Sequence, residues 1–169
     1  MTETEWINHT YANFGHTVSQ YRGAKFFVAQ VLCLTRVTGA RYAFVTVRDG
    51  VNQGYSLAFA DGDNTRTPFR YELTNTPCNA VLDGNRVSLP CDVEKQFPAA
   101  AKIYAGYCGI PLHDESGSVL GLLALADDHN LPRLERLEGL LKLLAGRTAA
   151  ELECLLQHQA IPPIYQPPQ

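Results

Sequence analysis

The chain has 169 residues, 46% of them hydrophobic, with 14 lysines and arginines against 17 aspartates and glutamates and a formal net charge of −3. That length suits one domain with a sizeable core, and mixed charge without a basic face offers no electrostatic footprint for nucleic acid or an anionic membrane. No apolar run approaches the ~20 residues of a spanning helix, and the opening MTETEWINHT lacks the basic and apolar regions of a secretory signal, so a cytoplasmic protein is expected.

Residues 1–17 are polar with scattered aromatics (Trp6, Tyr11, Phe14) and read as an arm, either a short helix or a segment packing on a neighbour. From Val18 to Val37 the apolar residues follow helical spacing through Tyr21, Ala24, Phe27, Val31 and Leu34, and Gly39 is placed to stop the helix. Tyr42–Val47 and Tyr55–Ala60 are β-rich runs separated by RDGVNQG, whose glycines supply turn chemistry for a hairpin. Asp61-Gly62-Asp63-Asn64 ends the second run, and Phe69–Leu73 alternates as a short edge strand after Pro68. Thr76-Pro77 reads as an N-cap with proline at the first helical position, opening a brief helix through Val81 and Leu82.

Asp83-Gly84-Asn85 turns the chain into a short strand over Arg86–Leu89, and Asp92–Phe97 reads as a helical turn stopped by Pro98. A further short helix is expected from Ala99 to Tyr104. Ile110–Leu112 and Val119–Ala126 flank the polar HDESGS and form a second hairpin. Its second arm, VLGLLALA, has no polar residue at alternate positions, so it needs protein on both faces. Arg133–Gln157 is a long helix in which Leu137, Leu141, Leu144, Thr148 and Leu155 lie on a near-heptad stripe. Leu140, Leu143 and Ala149 broaden the apolar surface, leaving one stripe for the sheet and one for a partner. Prolines at 162, 163, 167 and 168 exclude a helix from the tail over 159–169, which is expected to be extended or disordered.

The result is an α+β domain over 18–158, with helices at both ends and antiparallel strands between, rather than a parallel doubly wound sheet. The five cysteines (33, 78, 91, 108 and 154) are odd in number and contain no CxxC pair. They are expected to be reduced, and no metal site is predicted. A Gly-rich phosphate loop, a zincin motif and a nucleophile elbow are all missing from the sequence.

The ordered set Tyr71-Glu72-Leu73, Thr76-Pro77-Cys78, Gln96-Phe97-Pro98, Gly109-Ile110-Pro111-Leu112 and Gly117-Ser118-Val119-Leu120-Gly121 resembles the GAF domain family, in the form found in bacterial sensor histidine kinases and diguanylate cyclases. The resemblance spans roughly Val18 to Gln157. It implies a central antiparallel sheet of about five or six strands, long N- and C-terminal helices together on one face, and short helices and loops roofing a small-molecule pocket on the other.

By that resemblance the chain is expected to be a non-enzymatic sensory or regulatory module in signal transduction. It would bind a small metabolite of unknown identity, without a named cofactor, and would act as a homodimer. A kinase or cyclase output domain would belong to a longer chain. Asp127-Asp128-His129-Asn130 does not reproduce the family's cyclic-nucleotide pattern, and the cysteines lack a bilin-attachment context.

Candidate ligand-binding residues are Tyr71, Thr76, Cys78, Val87, Tyr104, Tyr107 and Cys108, since aromatic rings with polar ends, hydroxyls and thiols suit a compact, partly apolar ligand. The alternative for each is packing between roof and sheet, with Thr76 a helix cap and the cysteines small hydrophobes. The dimer contact is expected at Leu137, Leu141, Leu144, Thr148 and Leu155. Two other functions compete: a dimerisation module without ligand, and a cysteine-dependent free methionine sulfoxide reductase drawing on Cys78, Cys91 and Cys108. The reductase needs an activated thiolate and a resolving thiol, and the sequence supplies no obvious activator.

Overall fold

A computed structural model of the protein describes residues 1–100 and 104–158. The expected tail over 159–169 and residues 101–103 of the expected helix over 99–104 lie outside the described residues; a 3₁₀ turn occupies Pro98–Ala100.

Helix α1 (Glu3–Val18) starts with a capping box: the Thr2 hydroxyl accepts from the Glu5 amide at 3.1 Å, and the Glu5 carboxylate accepts from the Thr2 amide at 2.8 Å. The residues read as an arm are therefore helical. Helix α2 (Ala24–Thr38) ends where Gly39, at φ 76, takes the left-handed C-cap and donates its amide to the Thr35 carbonyl. The helix expected from Val18 therefore starts only at Ala24, after a turn whose Gly23 amide is fixed by the Glu151 carboxylate at 3.1 Å.

Seven antiparallel strands form one sheet: β1 (Tyr42–Arg48), β2 (Gln53–Asp61), β3 (Asn64–Arg66), β4 (Phe69–Glu72), β5 (Val87–Leu89), β6 (Gly106–His113) and β7 (Val119–Asp127). The order is β3-β2-β1-β7-β6-β5, and β4 also pairs with β2, using Gln53–Ser56 while β3 uses Phe59–Asp61. The strand beyond the expected five or six is β3, whose three exposed polar residues carry no apolar alternation and read as part of a turn. Short helices α3 (Pro77–Leu82) and α4 (Val93–Gln96) lie between β4 and β6, and α5 (Leu134–Gln157) closes the fold.

The sheet divides the core in two. Ala43, Val45 and Val47 of β1 face α1, α2 and α5, whereas Tyr42 and Phe44 face α3 and α4. On β7, Leu123 and Leu125 join the helix side and Leu122, Ala124 and Ala126 the roof side, all fully buried. This is the two-sided cover that VLGLLALA demanded. Removing each such leucine from water contributes about 1.5–3 kcal/mol.

The stripe expected to meet a partner is internal. Leu137, Leu141, Leu144, Thr148 and Leu155 are all buried within the chain, because α5 packs on the sheet beside α2 and α1 covers the two from the side away from the sheet. Arg136 pairs with Glu3, a Cβ on Gly139 would lie 2.4 Å from Ile7 Cδ1, and Arg147 donates to the Tyr21 carbonyl, so α1 runs parallel to α5 and covers it.

Candidate functional site

The roof begins at Thr76. Its hydroxyl accepts from the Asn79 amide at 3.2 Å and donates to the Leu73 carbonyl at 2.6 Å, while Pro77 occupies the first helical position. That start lays a short helix over the sheet and buries Cys78, Val81 and Leu82 against it.

Alternation fixes what the sheet presents beneath. Val87 and Leu89 of β5 pair with Gly109 and Tyr107 of β6, and the two β5 side chains pack into the roof-side core. The fully buried Tyr107 ring lies over Gly109, where a Cβ would come within 2.6 Å of it. Its hydroxyl donates to Cys78 Sγ at 3.3 Å. Tyr71 donates to Thr46 Oγ1 at 2.9 Å. Tyr104 lies 6.0 Å from Tyr107, 6.0 Å from Tyr42 and 6.2 Å from Phe44, ring centre to ring centre.

Tyr71, Cys78, Val87, Tyr104 and Tyr107 therefore meet on one face, with Thr76 anchoring the helix above them. Cys108 does not join them. It points to the helix side, where its sulfur lies 3.8 Å from Ser88 Oγ, because neighbouring residues of a strand face opposite ways. Phe44, Leu73, Thr46 and Gly109 complete the face and were missed as site residues. The alternation Tyr42, Phe44, Thr46 in β1 carries the signal for two of them.

The interior of this face is uncharged. Burial pushes the Tyr71, Tyr104 and Tyr107 phenols above their ordinary range. It also raises the Cys78 thiol, a shift that the Tyr107 and Tyr71 hydroxyls partly oppose. Cys108 is pushed up to about 12 by burial, and Cys91 is raised by burial and by Asp92. These thiols stay protonated near neutral pH, so the face can donate hydrogen bonds and stack rings but holds no ready nucleophile.

Charge gathers at the rim. The Arg66 guanidinium lies 4.6 Å from the Phe59 ring centre and pairs with Asp61 at 2.9 Å. Nearby, Arg41 bonds Asp61 at 3.0 Å and Asp128 at 2.6 Å, and its amide bonds Asp127 at 2.9 Å. The potential ligand atoms of Asp127, Asp128 and His129 lie within 4.8 Å of one another. Hydrogen bonding to His129 first, with Arg41 adding to it, holds the Asp128 carboxyl at about 2 and raises the His129 imidazole. The group works as a latch between the ends of β7 and β1, with Arg41 pairing to Asp128 across it.

No protein-family model matches the sequence, and no curated protein matches it significantly. Solved structures do. The GAF domain of an Acinetobacter phosphoenolpyruvate-protein phosphotransferase superposes with a TM-score of 0.71 at 13% identity, over 95% of this chain and 100% of that one. The corresponding domain from Coxiella burnetii gives 0.68 at 18% identity, over 91% and 96%. The free methionine-R-sulfoxide reductase of Neisseria meningitidis, solved with its substrate, gives 0.71 at 17% identity, over 90% and 91%. Identity this low speaks to architecture alone, and on that architecture the chain has the fold of a GAF domain.

Proposed function

We propose that this protein is a non-enzymatic, small-molecule-binding regulatory module of cytoplasmic signalling. The ligand is a compact, largely uncharged metabolite held by Tyr71, Cys78, Val87, Tyr104 and Tyr107 beneath the helix that Thr76 caps. The supporting observation is that several tyrosines and one thiol converge on the sheet face roofed by α3, all neutral, with guanidinium groups at the rim. Binding alters output by favouring one arrangement of the terminal helices over another, since a ligand with equal affinity for both shifts nothing. If the sequence belongs to a longer sensor, a kinase or cyclase domain is the output. Native mass spectrometry of gently purified protein, set against a denatured sample, should reveal a co-purified small molecule that Tyr104→Ala reduces. A parent protein that carries no added mass and binds nothing from a metabolite library would leave an assembly module without ligand.

Likeness to the Neisseria reductase supports a second reading, thiol-dependent reduction of free methionine sulfoxide. The protonated Cys78 and the separation of Cys108 by the sheet weigh against it. A thioredoxin-coupled NADPH assay is expected to show no turnover; turnover lost in Cys78→Ser would reverse the assignment.

A further inference from the structure

The layer of three helices contains a cavity of its own, on the face of the sheet opposite the roof. It measures about 380 Å³ and is walled by Phe14 and Val18 of α1, Phe26 and Gln30 of α2, and Leu144 and Arg147 of α5. Gln30 is a fully buried polar side chain in an otherwise apolar helix face. Its amide nitrogen donates to Thr148 Oγ1 at 2.6 Å, and that hydroxyl donates its single proton to the Leu144 carbonyl at 2.7 Å. Thr148 therefore has no proton to give Gln30, which fixes the amide orientation: nitrogen toward Thr148, oxygen away from it. Gln30 Oε1 is then left, among the described residues, without a donor. A buried acceptor without a donor is unfavourable, and most such groups in folded proteins have a partner.

Tyr11 and Ser19 bring hydroxyls to the outer part of the lining, and the charged wall is already committed. Arg147 donates to the Tyr21 carbonyl and to Glu151 at 3.0 and 3.1 Å and stacks over Phe26 at 4.6 Å, so its charge is balanced and its flat face covered. Apolar walls, a neutralised cation and one waiting acceptor define the chemistry of an occupant. We infer that the α1–α2–α5 cavity is a second small-molecule site, taking an uncharged, mainly apolar or aromatic molecule that donates one hydrogen bond to Gln30 Oε1. An occupant here ties α1 to the two helices that pack on the sheet, so it acts on the terminal helices directly and independently of any ligand under the roof.

Indole and N-methylindole differ by the one donor at issue and serve as probes in an amide-resolved NMR titration of the full chain. Indole should bind saturably, moving Gly15, Val18, Leu144 and the Gln30 side-chain amide, and about fivefold or more tighter than N-methylindole, the worth of one hydrogen bond to a buried group. Gln30→Met should erase that preference. Gly15 lines the cavity and a Cβ there meets nothing within 4 Å, so Gly15→Leu should fold, obstruct the site and abolish both titrations. Absent saturation, equal affinities in the parent, shifts centred elsewhere, or a preference retained in Gln30→Met would each overturn the site. So would cavity shifts that follow protein concentration without indole, which would place a second copy in the groove. Should Gln30→Met not fold, the indole pair and Gly15→Leu still decide the matter.

Discussion

Tyr107 and Cys78 share a hydrogen bond in a place where neither can easily ionise, and this couples stability to pH. Burial lifts the thiol above its ordinary 9.0 and the phenol well above its ordinary 10.0. In the unfolded chain both groups lose protons near those ordinary values, while the folded chain keeps them. The native state then binds more protons, so stability is intact below pH ~9 and declines as pH rises beyond it. Urea midpoints should fall between about pH 9 and about pH 11, and Tyr107→Phe should show a shallower decline; a parent flat across that range would contradict the burial argument. That Tyr107 and Gly109 share one face of β6 was within reach of the sequence, since a strand repeats every two residues. The same rule separates Tyr107 from Cys108, and treating the adjacent residues as one site ignored it. Gln30 went unremarked because nothing in a sequence shows that its threonine partner, 118 residues away, has already spent its proton.

Among the elements, α3 depends most on a single residue. With one turn and a half of helix it has little intrinsic stability, so the Thr76 cap and the burial of Cys78 and Val81 must hold it in place. Thr76→Ala should cost about 1 kcal/mol in global stability. Its sharper effect should be local: Cys78, buried in the parent, should react with a maleimide well before global unfolding, read by mass spectrometry of digested samples. Equal Cys78 protection in both proteins would show that packing alone holds the roof. This cap and its proline were plain in the sequence, as was the second hairpin, whose Asp114 carboxylate gathers the Ser116 and Ser118 amides at 2.8 and 2.9 Å while Gly117 takes φ 89. The capping box of Thr2 and Glu5 was equally plain and went unread, since residues 1–17 showed no continuous apolar stripe. β3 was hidden for the opposite reason: three exposed polar residues join a sheet through backbone hydrogen bonds alone, which side-chain patterning cannot reveal.

At the scale of the whole molecule, the place where the N-terminal helix packs changes the meaning of the C-terminal one. The layers follow from VLGLLALA, which forces cover on both sides of the central strands. A leucine stripe in α5, however, looks the same whether a partner chain or the chain's own α1 buries it. With α1 in place, the apolar side chains left at the surface of these helices include Tyr11, 43% exposed, and Leu143, 42% exposed. A homodimer through the terminal helices must use that outer surface rather than the stripe containing Leu141. The two positions separate assembly from folding. Leu141→Asp places a carboxylate in a fully buried site within the apolar core and should unfold the domain. Leu143→Asp should leave stability within about 0.5 kcal/mol. If the helices form the contact, it should also turn the dimer seen by light scattering into a folded monomer. A folded Leu143→Asp dimer would move the interface elsewhere on the surface, and a monomeric parent would remove it. In that case any signal from the roof or from the three-helix cavity would have to leave through α5 as a change in its packing against α1, the contact that also lines the cavity around Gln30.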